Sequence, residues 1–163
     1  MKNLLNVKKL NFLFIFFIIF LFDRLSKFYI LNLAESGEVD IYINTYINFY
    51  LIWNKGVAFG LLSSDENYLY NIVTALIIII NFIIIYFIFI TKDFRAYFFL
   101  IILGGSFGNL YDRLFYKAVP DFIDLHIGDF HWFIFNVADI FISLGVICLI
   151  FVEIFFNKNL TKL

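Results

Sequence analysis

The sequence predicts an all-α integral membrane protein with four transmembrane helices and short strands outside the membrane. Three observations lead to this prediction: a very apolar composition, four long apolar segments, and polar residues concentrated near one end of those segments. Hydrophobic residues make up 63% of the 163 residues, charged residues make up 15%, and the mean hydropathy is +0.93. Soluble domains are about 45–50% apolar and about 25% charged. Because the net charge is only −1 and there is no basic stripe, we do not expect a nucleic-acid partner.

The first predicted span follows a basic lead and begins at about residue 10. Residues 12–22 form an unbroken apolar run that is typical of a signal peptide, but no small-residue cleavage site follows it. We therefore expect this segment to be retained in the protein. The other spans also have about the length that a bilayer requires. The four predicted spans cover residues 10–33, 68–90, 96–114 and 133–156.

Two polar-rich connections, residues 34–67 and 115–132, separate the first span from the second and the third from the fourth. Residues 39–53 are rich in β-branched and aromatic residues that partly alternate with polar ones, which predicts short strands. Asn54, Lys55 and Gly56 then form a turn signal. No repeat or low-complexity linker divides the chain, so we expect one domain over residues 1–163.

The positive residues predict the orientation in the membrane. Lys and Arg concentrate in short cytoplasmic loops, so we expect both termini and the 91–95 loop to be cytoplasmic. The two long connections, and the polar ends of the spans, then lie at the outer face. The positive residues on the predicted cytoplasmic side are Lys2, Lys8, Lys9, Lys92, Arg95, Lys158 and Lys162.

Polar residues occur at helical spacing near the predicted outer ends of three spans. Residues three or four positions apart share a helix face, and ionisable groups at the edge of a bilayer indicate a functional site. In the third span, Gly104 and Gly108 also form a G-x-x-x-G pair that lets a neighbouring backbone approach closely. The pairs with this spacing are Asp23 with Lys27, Asn109 with Arg113, and Asn136 with Asp139.

Two carboxylates, Asp121 in the second connection and Asp139 in the fourth span, are the candidate catalytic pair. Carboxylates that share a site cannot both ionise cheaply, so one keeps a proton. The ionised member can activate water, and the protonated member can polarise an amide carbonyl and then donate to the leaving nitrogen. Asn109, Arg113 and Asn136 would position the pair and bind the carbonyl.

Other interpretations of the polar residues stay open at this point. Asp23 and Lys27 form either an ion pair that locks the helix or part of the catalytic site. Asn54 is either a turn residue or a substrate contact, and Asp112 anchors its helix end. We expect the remaining acids and histidines of the second connection to be solvated: Asp124, His126, Asp129 and His131.

Five motifs of this chain resemble those of the bacterial lipoprotein signal peptidases (signal peptidase II), a family of membrane aspartic proteases. Each motif is weak alone, but together they occur in register over residues 23–142 and make the resemblance specific. The motifs are DRLSK at 23–27, NKGVAF at 54–59, GGSFGNLYDR at 104–113, VPDFID at 119–124 and FNVAD at 135–139.

The resemblance implies a fold, a reaction and a set of site residues. The fold is four membrane helices with a small extracytoplasmic β-cradle, and the catalytic pair is Asp121 and Asp139. The substrate is a prolipoprotein whose lipobox cysteine carries diacylglycerol, and the chain is cut just before that cysteine. No metal or organic cofactor is implied, and we expect a monomer in contact with membrane lipid. The residues implied to support the pair or bind substrate are Asp23, Lys27, Asn54, Gly56, Asn109, Arg113 and Asn136.

The chain departs from the family pattern at a few positions. Arg24 replaces the usual Gln, Lys117 occupies a position where Gly is common, and Pro120 replaces a Val just before Asp121. Residues 140–141, which are Ile and Phe, replace smaller residues after Asp139. Proline fixes its own φ and lacks an N–H donor, so the departures at Lys117 and Pro120 concern the geometry of the loop before Asp121.

Two rival functions would use the same acidic residues. A metal-dependent membrane protease would use Asp121, Asp124, His126, Asp129, His131 and Asp139, but no H-E-x-x-H helix supports it. If residues 121–127 are extended, Asp124 and His126 also point away from the Asp121 face. A proton-coupled transporter or assembly subunit would distribute its acids through the membrane depth, whereas these acids gather at one face.

Overall fold

The computed structural model describes residues 2–37, 40–56 and 67–156. Residue 39, the 57–59 part of the NKGVAF motif, and Lys158 and Lys162 lie outside the described residues. The described residues form four helices and four strands. In chain order they are α1 (Lys2–Glu35), β1 (Asp40–Asn44), β2 (Ile47–Asn54), α2 (Asn67–Ile90), α3 (Arg95–Tyr116), β3 (Val119–Ile127), β4 (Phe130–Phe135) and α4 (Val137–Phe156).

Two of the described helices are long and apolar enough to cross a membrane. They are Tyr68–Ile90, with 23 residues and a mean hydropathy of 3.0 over the most apolar window, and Val137–Phe155, with 19 residues and 2.5. Most of each helix surface is not covered by protein, and large side chains such as Phe82 and Phe89 are 67% and 78% exposed. Contiguous exposed apolar surface of this kind indicates contact with lipid.

Helix α3 packs against each of the other three helices. Glycines permit the close approach: an added Cβ on Gly104 would lie 2.9 Å from the Ile19 side chain of α1, and one on Gly105 would lie 2.6 Å from the Ala138 carbonyl oxygen of α4. An apolar core lies between α2 and α3, where Ile84 and Ile88 pack against Leu100 and Leu103. The predicted role of Gly104 in backbone approach is confirmed.

The four strands form one antiparallel sheet in the order β1-β2-β3-β4. The fold is therefore mostly helical with a small sheet, rather than all-α. Asn44 shapes the β1–β2 turn, since its side-chain oxygen accepts the backbone N–H groups of Tyr46 and Ile47 at 2.8 and 3.0 Å. Gly128 in the β3–β4 turn has φ +58°, in the left-handed region that favours glycine.

Two departures from the family pattern fit the backbone around β3. Lys117, at the C-terminal cap of α3, has φ 58°, a left-handed conformation that favours glycine at the end of a helix. Pro120 lies opposite Trp53 of β2, while β4 pairs with β3 only from Ile123 onward. The β4 side of β3 is therefore unpaired at Pro120, as at the edge of a sheet, where a proline without an N–H is tolerated.

One predicted boundary is wrong, and one helix extends beyond its predicted span. The fourth span was expected to begin at residue 133, but β4 continues to Phe135 and α4 begins at Val137. A continuous apolar stretch does not by itself distinguish a buried strand from a helix. Helix α1 extends from Lys2 to Glu35, so it contains both the basic lead and the predicted first span at residues 10–33.

Candidate active site

The start of helix α4 positions Asp139. Asn136 is the N-cap residue: its side-chain oxygen accepts the backbone N–H of Asp139 at 3.2 Å, while an Asp139 carboxylate oxygen accepts the backbone N–H of Asn136 at 3.1 Å. This reciprocal pair is a capping box with Asp in place of Glu. A carboxylate in the first helical turn is also favoured by the positive end of the helix dipole. The local sequence therefore fixes the Asp139 side chain.

Asp121 is held on β3 by two amide side chains. Its carboxylate oxygens accept the Nδ2 groups of Asn136 at 2.5 Å and Asn54 at 2.9 Å, and the residue is 2% exposed. Burial, and secondarily the negative charge of Asp139, raise the pKa of the Asp121 carboxyl to about 6, although the two amide donors oppose this shift. The raised pKa favours a retained proton in a site with a second carboxylate.

Asn136 joins the two carboxylates. Its Nδ2 donates to Asp121, and its Oδ1 and backbone N–H belong to the capping box with Asp139. The residue is fully buried, so both its donor and its acceptor are committed inside the protein. The strand and the helix therefore present their two carboxylates to a single asparagine side chain.

Asn109 links Asp139 to a buried lysine. Its Nδ2 donates to Asp139 at 2.9 Å, and its Oδ1 accepts Lys27 Nζ at 2.8 Å. Lys27 is 1% exposed, and its other contacts are with two aspartates, Asp23 at 2.9 Å and Asp112 at 2.6 Å. The predicted Asp23–Lys27 pair is present. A buried ammonium needs such a full set of acceptors.

Arg24 completes this buried charge cluster, which we define as Asp23, Arg24, Lys27 and Asp112. Both terminal nitrogens of Arg24 donate to Asp112, at 2.6 and 2.8 Å, and one of them also donates to Asp23 at 2.7 Å. Two carboxylates and two cations balance each other, and Asp23 and Asp112 are fully buried. Asp23 also accepts the backbone N–H of Ala138 at 3.1 Å. The cluster therefore fixes the backbone next to Asp139.

Asn54, Gly56 and Arg113 form the other wall of the site. The predicted turn role of Asn54 is confirmed, since its Oδ1 accepts the Gly56 N–H at 2.7 Å, and its Nδ2 donates to Asp121. The Gly56 carbonyl in turn accepts an N–H of Arg113. Arg113 packs over the ring of Tyr70, whose hydroxyl donates to the Arg113 carbonyl at 2.6 Å.

A cavity of about 540 Å³ opens beside Asp139, Asn109 and Arg113. Its remaining lining comes mainly from aliphatic residues of α2 and α4, among them Ile77, Ile80, Ile142, Val146 and Ile147. Nε and Nη1 of Arg113 are buried and have no hydrogen-bond partner among the described residues. Polar groups at one end of an apolar cavity are typical of a site that binds a ligand with a polar reactive group and an apolar body.

The acids and histidines of the second connection divide between two faces of the sheet. Asp121 contacts the site residues described above. Asp124 lies three residues further along β3, and its Oδ2 is 2.8 Å from His131 Nδ1. The prediction that Asp124 is solvated is wrong, since it is 4% exposed, but Asp129 and His131 are exposed as predicted. These residues do not form one metal site with Asp121 and Asp139.

Sequence reasoning missed the roles of Asp112 and Arg24. Asp112 was interpreted only as a helix anchor, although it lies three residues after Asn109 and so shares its helix face. In the sequence, Arg24 is distinguished only as a departure from a family pattern. Its partner Asp112 is 88 positions away in the chain, so only the packing of α1 against α3 reveals the pair.

The fold and the site together define a class: a membrane protein in which one asparagine contacts two carboxylates, with an apolar cavity beside one of them. Comparison with known proteins agrees with this class. A profile of the family described as Signal peptidase (SPase) II matches residues 15–156, so the chain belongs to the signal peptidase II family, which is a family of proteases.

Similar proteins extend over nearly the whole chain. A lipoprotein signal peptidase of Pelagibacter ubique (strain HTCC1062) is 55% identical, with 98% of each chain covered. One from Anaplasma phagocytophilum (strain HZ) is 43% identical over 81% of this chain and 84% of its own. One from Francisella tularensis subsp. novicida (strain U112) is 36% identical over 96% of this chain and 99% of its own.

Two solved structures share the fold. Both are described as bacterial membrane enzymes determined by the in meso method, at 2.3 Å and 1.9 Å resolution. The first is 25% identical, with a TM-score of 0.75 over 94% of this chain and 92% of the other. The second is 28% identical, with a TM-score of 0.70 over 87% of this chain and 91% of the other.

Proposed function

We propose that this protease removes the signal peptide from diacylglyceryl-modified prolipoproteins, with Asp121 and Asp139 as its catalytic pair. The observation that carries the proposal is that one buried residue, Asn136, contacts both carboxylates, one of which, Asp139, lines an apolar cavity. The names of the similar proteins, lipoprotein signal peptidases, support the same substrate class.

The reaction follows from a pair that holds one proton. The ionised carboxylate removes a proton from water as the water oxygen attacks the carbonyl carbon of the scissile amide, and the protonated carboxyl donates a hydrogen bond to the carbonyl oxygen. Collapse of the tetrahedral intermediate breaks the C–N bond, and the leaving nitrogen takes a proton from the pair. We describe the proton as shared, because coupled carboxylates titrate as a pair.

Arg113 and the apolar cavity support the binding of substrate. Nε and Nη1 of Arg113 have no hydrogen-bond partner among the described residues, so they can donate to a substrate carbonyl, while the third nitrogen, Nη2, binds the Gly56 carbonyl. The aliphatic wall of the cavity offers a surface for the diacyl chains, whose burial contributes about 0.8 kcal/mol per CH₂. The lipid would thereby hold the scissile amide beside the two carboxylates.

The proposed topology has four membrane spans and both termini in the cytoplasm. The concentration of Lys and Arg at the termini and in the 91–95 loop supports this orientation. The active site would then lie at the outer face of the bacterial cytoplasmic membrane. We further propose that residues 1–163 form one catalytic domain that acts as a monomer.

The rival metal-dependent mechanism is less well supported. It needs Asp121 and Asp139 as ligands, and both carboxylates instead accept hydrogen bonds from asparagines. We expect the initial cleavage rate, measured at a temperature where the protein stays folded, to be unchanged by EDTA. Loss of cleavage that added zinc restores would favour the metal mechanism instead.

The substrate is tested with two forms of one precursor. Purified protein in detergent is given a prolipoprotein with and without the diacylglyceryl group, and the products are identified by mass spectrometry. We expect cleavage just before the cysteine of the modified precursor, and much slower cleavage of the unmodified one. Equal cleavage of both forms, or cleavage at another bond, would refute the proposed substrate. A transporter or assembly subunit would cleave neither.

A further inference from the structure

Asp124, His126 and His131 converge on one face of the sheet, away from the candidate active site. His126 and His131 are the only two histidines of the chain, and they are cross-strand partners in β3 and β4. Asp124 precedes His126 by two residues, so its side chain projects from the same face. Asp121 lies three positions before Asp124 and therefore projects from the opposite face, where its asparagine partners are.

The separations between these side chains match the ligand set of a metal ion. One candidate ligand atom from each residue lies within 4.8 Å of the others. Asp124 Oδ2 is 2.8 Å from His131 Nδ1 and 3.7 Å from His126 Nδ1. Bonds of about 2.0–2.1 Å in a tetrahedral zinc site place ligand atoms roughly 3.3 Å apart, which lies between the two observed distances.

Two polar atoms of the cluster lack a partner. Asp124 Oδ1 and His126 Nδ1 are buried, and neither has a hydrogen-bond partner within the described part of the chain. Asp124 as a whole is 4% exposed. A buried carboxylate oxygen and a buried ring nitrogen without partners are unfavourable, and both would be satisfied by a cation between them. The His131 side chain is 57% exposed, which leaves a path for the ion and for a water ligand.

We propose that Asp124, His126 and His131 bind one divalent metal ion of the zinc type. Two imidazoles and one carboxylate are a typical zinc ligand set, with water as the fourth ligand, and such a set without sulfur is unsuited to Cu(I). The ion would connect β3 to β4 and so stabilise the hairpin on which Asp121 lies. Its role is structural, because it binds on the face of the sheet opposite Asp121.

The proposal is tested by metal titration of the full-length protein without a histidine tag. The protein is freed of metal in detergent and titrated with Co²⁺, whose visible absorption reports tetrahedral coordination, and Zn²⁺ is added in competition. We expect one equivalent of Co²⁺ to bind and Zn²⁺ to displace it. Saturating Zn²⁺ should raise the thermal unfolding midpoint by about 5 °C or more.

Variants of exposed residues identify the ligands without threatening the fold. We expect His131→Gln to weaken metal binding by about 100-fold or more, and the matched Asp129→Asn change in the adjacent turn to leave it unchanged. His131→Cys should retain binding and add a sulfur-to-cobalt charge-transfer band. The proposal is overturned if the wild-type protein binds no stoichiometric cobalt, or if His131→Gln binds it with the wild-type affinity and spectrum. In either case, the cluster is only a hydrogen-bonded Asp–His pair.

Discussion

Amide groups, rather than cations, make the direct contacts to the two candidate catalytic carboxylates. Asp121 accepts from Asn54 and Asn136, and Asp139 accepts from Asn109 and from the backbone of Asn136. A neutral donor favours the ionised carboxylate less strongly than a salt bridge does. The pair can therefore keep a shared proton while its geometry stays fixed.

The contact between Asn54 and Asp121 predicts a shift in the pH dependence of cleavage. The Asn54 amide favours ionised Asp121, so Asn54→Ala should raise the pKa of Asp121 above about 6. Activity that requires the shared proton then persists to higher pH, and the alkaline limb of the rate profile should move up by roughly half to one pH unit. Asn54→Asp adds a negative charge and should move the limb further.

The control for these variants is Asn71→Ala, which removes an exposed amide from α2. Its pH–rate profile should match that of the wild-type protein. An alkaline limb that stays in place in both Asn54 variants, or moves to lower pH, would contradict the shared-proton mechanism.

The buried charge cluster predicts non-additive stability effects. Arg24→Gln leaves the two buried aspartates with one cation, and breaking a buried pair costs about 3–5 kcal/mol. Asp112→Asn leaves an excess cation instead. The double variant restores the charge balance, so it should be more stable than the sum of the single effects predicts, by about 1–3 kcal/mol. Free energies of unfolding in detergent test this, and simple additivity would show that the cluster is not coupled.

Among the elements, the contact between α3 and α4 sets the position of Asp139. On α3, Gly105 lies directly against the carbonyl of Ala138, the residue before Asp139. On α4, Gly145 lies six positions beyond Asp139 and packs as closely against Ile102. Both glycines bring the two helices together, but only Gly105 does so at the candidate active site.

We therefore expect Gly105→Ala to reduce cleavage more than Gly145→Ala does. An added Cβ at Gly105 would lie 2.6 Å from the Ala138 oxygen and push the start of α4 away. Displacement of a catalytic group by about 1 Å can cost on the order of 10²-fold in rate. Gly145→Ala is the matched control, since its Cβ would lie 2.5 Å from the Ile102 side chain. Equal rate losses, after correction for the folded fraction, would show that the effect is not local.

The elements that could be predicted from sequence are those with a strong local signal. Long apolar runs indicate helices, and the alternation after residue 39 indicates the strands β1 and β2. Strand β4 was missed because its sequence, FHWFIF, continues into the apolar residues of α4 without a break in pattern other than Asn136. The N-cap role of Asn136 marks the true boundary.

The parts of the site that could be predicted are those with helical spacing, such as the Asp23–Lys27 pair. Contacts between distant elements could not be predicted, because they depend on how the helices pack. The Arg24–Asp112 pair and the burial of Asp124 are of this kind. The grouping of Asp121 with Asp139 came from chemistry and family resemblance rather than from any local pattern.

For the whole molecule, the distribution of exposed side chains agrees with the proposed topology. Both tryptophans of the chain, Trp53 and Trp132, lie on the sheet and are 46% and 65% exposed. Tryptophan is enriched where a membrane meets water, whereas exposed Phe and Ile cover the helices. The sheet therefore suits a membrane–water interface, and the proposed orientation makes this the outer one.

The central claim is that Asp121 and Asp139 together perform the cleavage. The most direct test is the cleavage rate of a diacylglyceryl-modified prolipoprotein by purified Asp121→Asn and Asp139→Asn variants, with Asp129→Asn as the control for loss of an acid from the same connection. We expect each of the first two changes to reduce the rate by roughly 10²–10⁴-fold or more, with the thermal unfolding midpoint retained, and the control to cleave as the wild type does. Substantial cleavage by either the Asp121 or the Asp139 variant would contradict the paired-carboxylate mechanism and leave only the fold in common with the family.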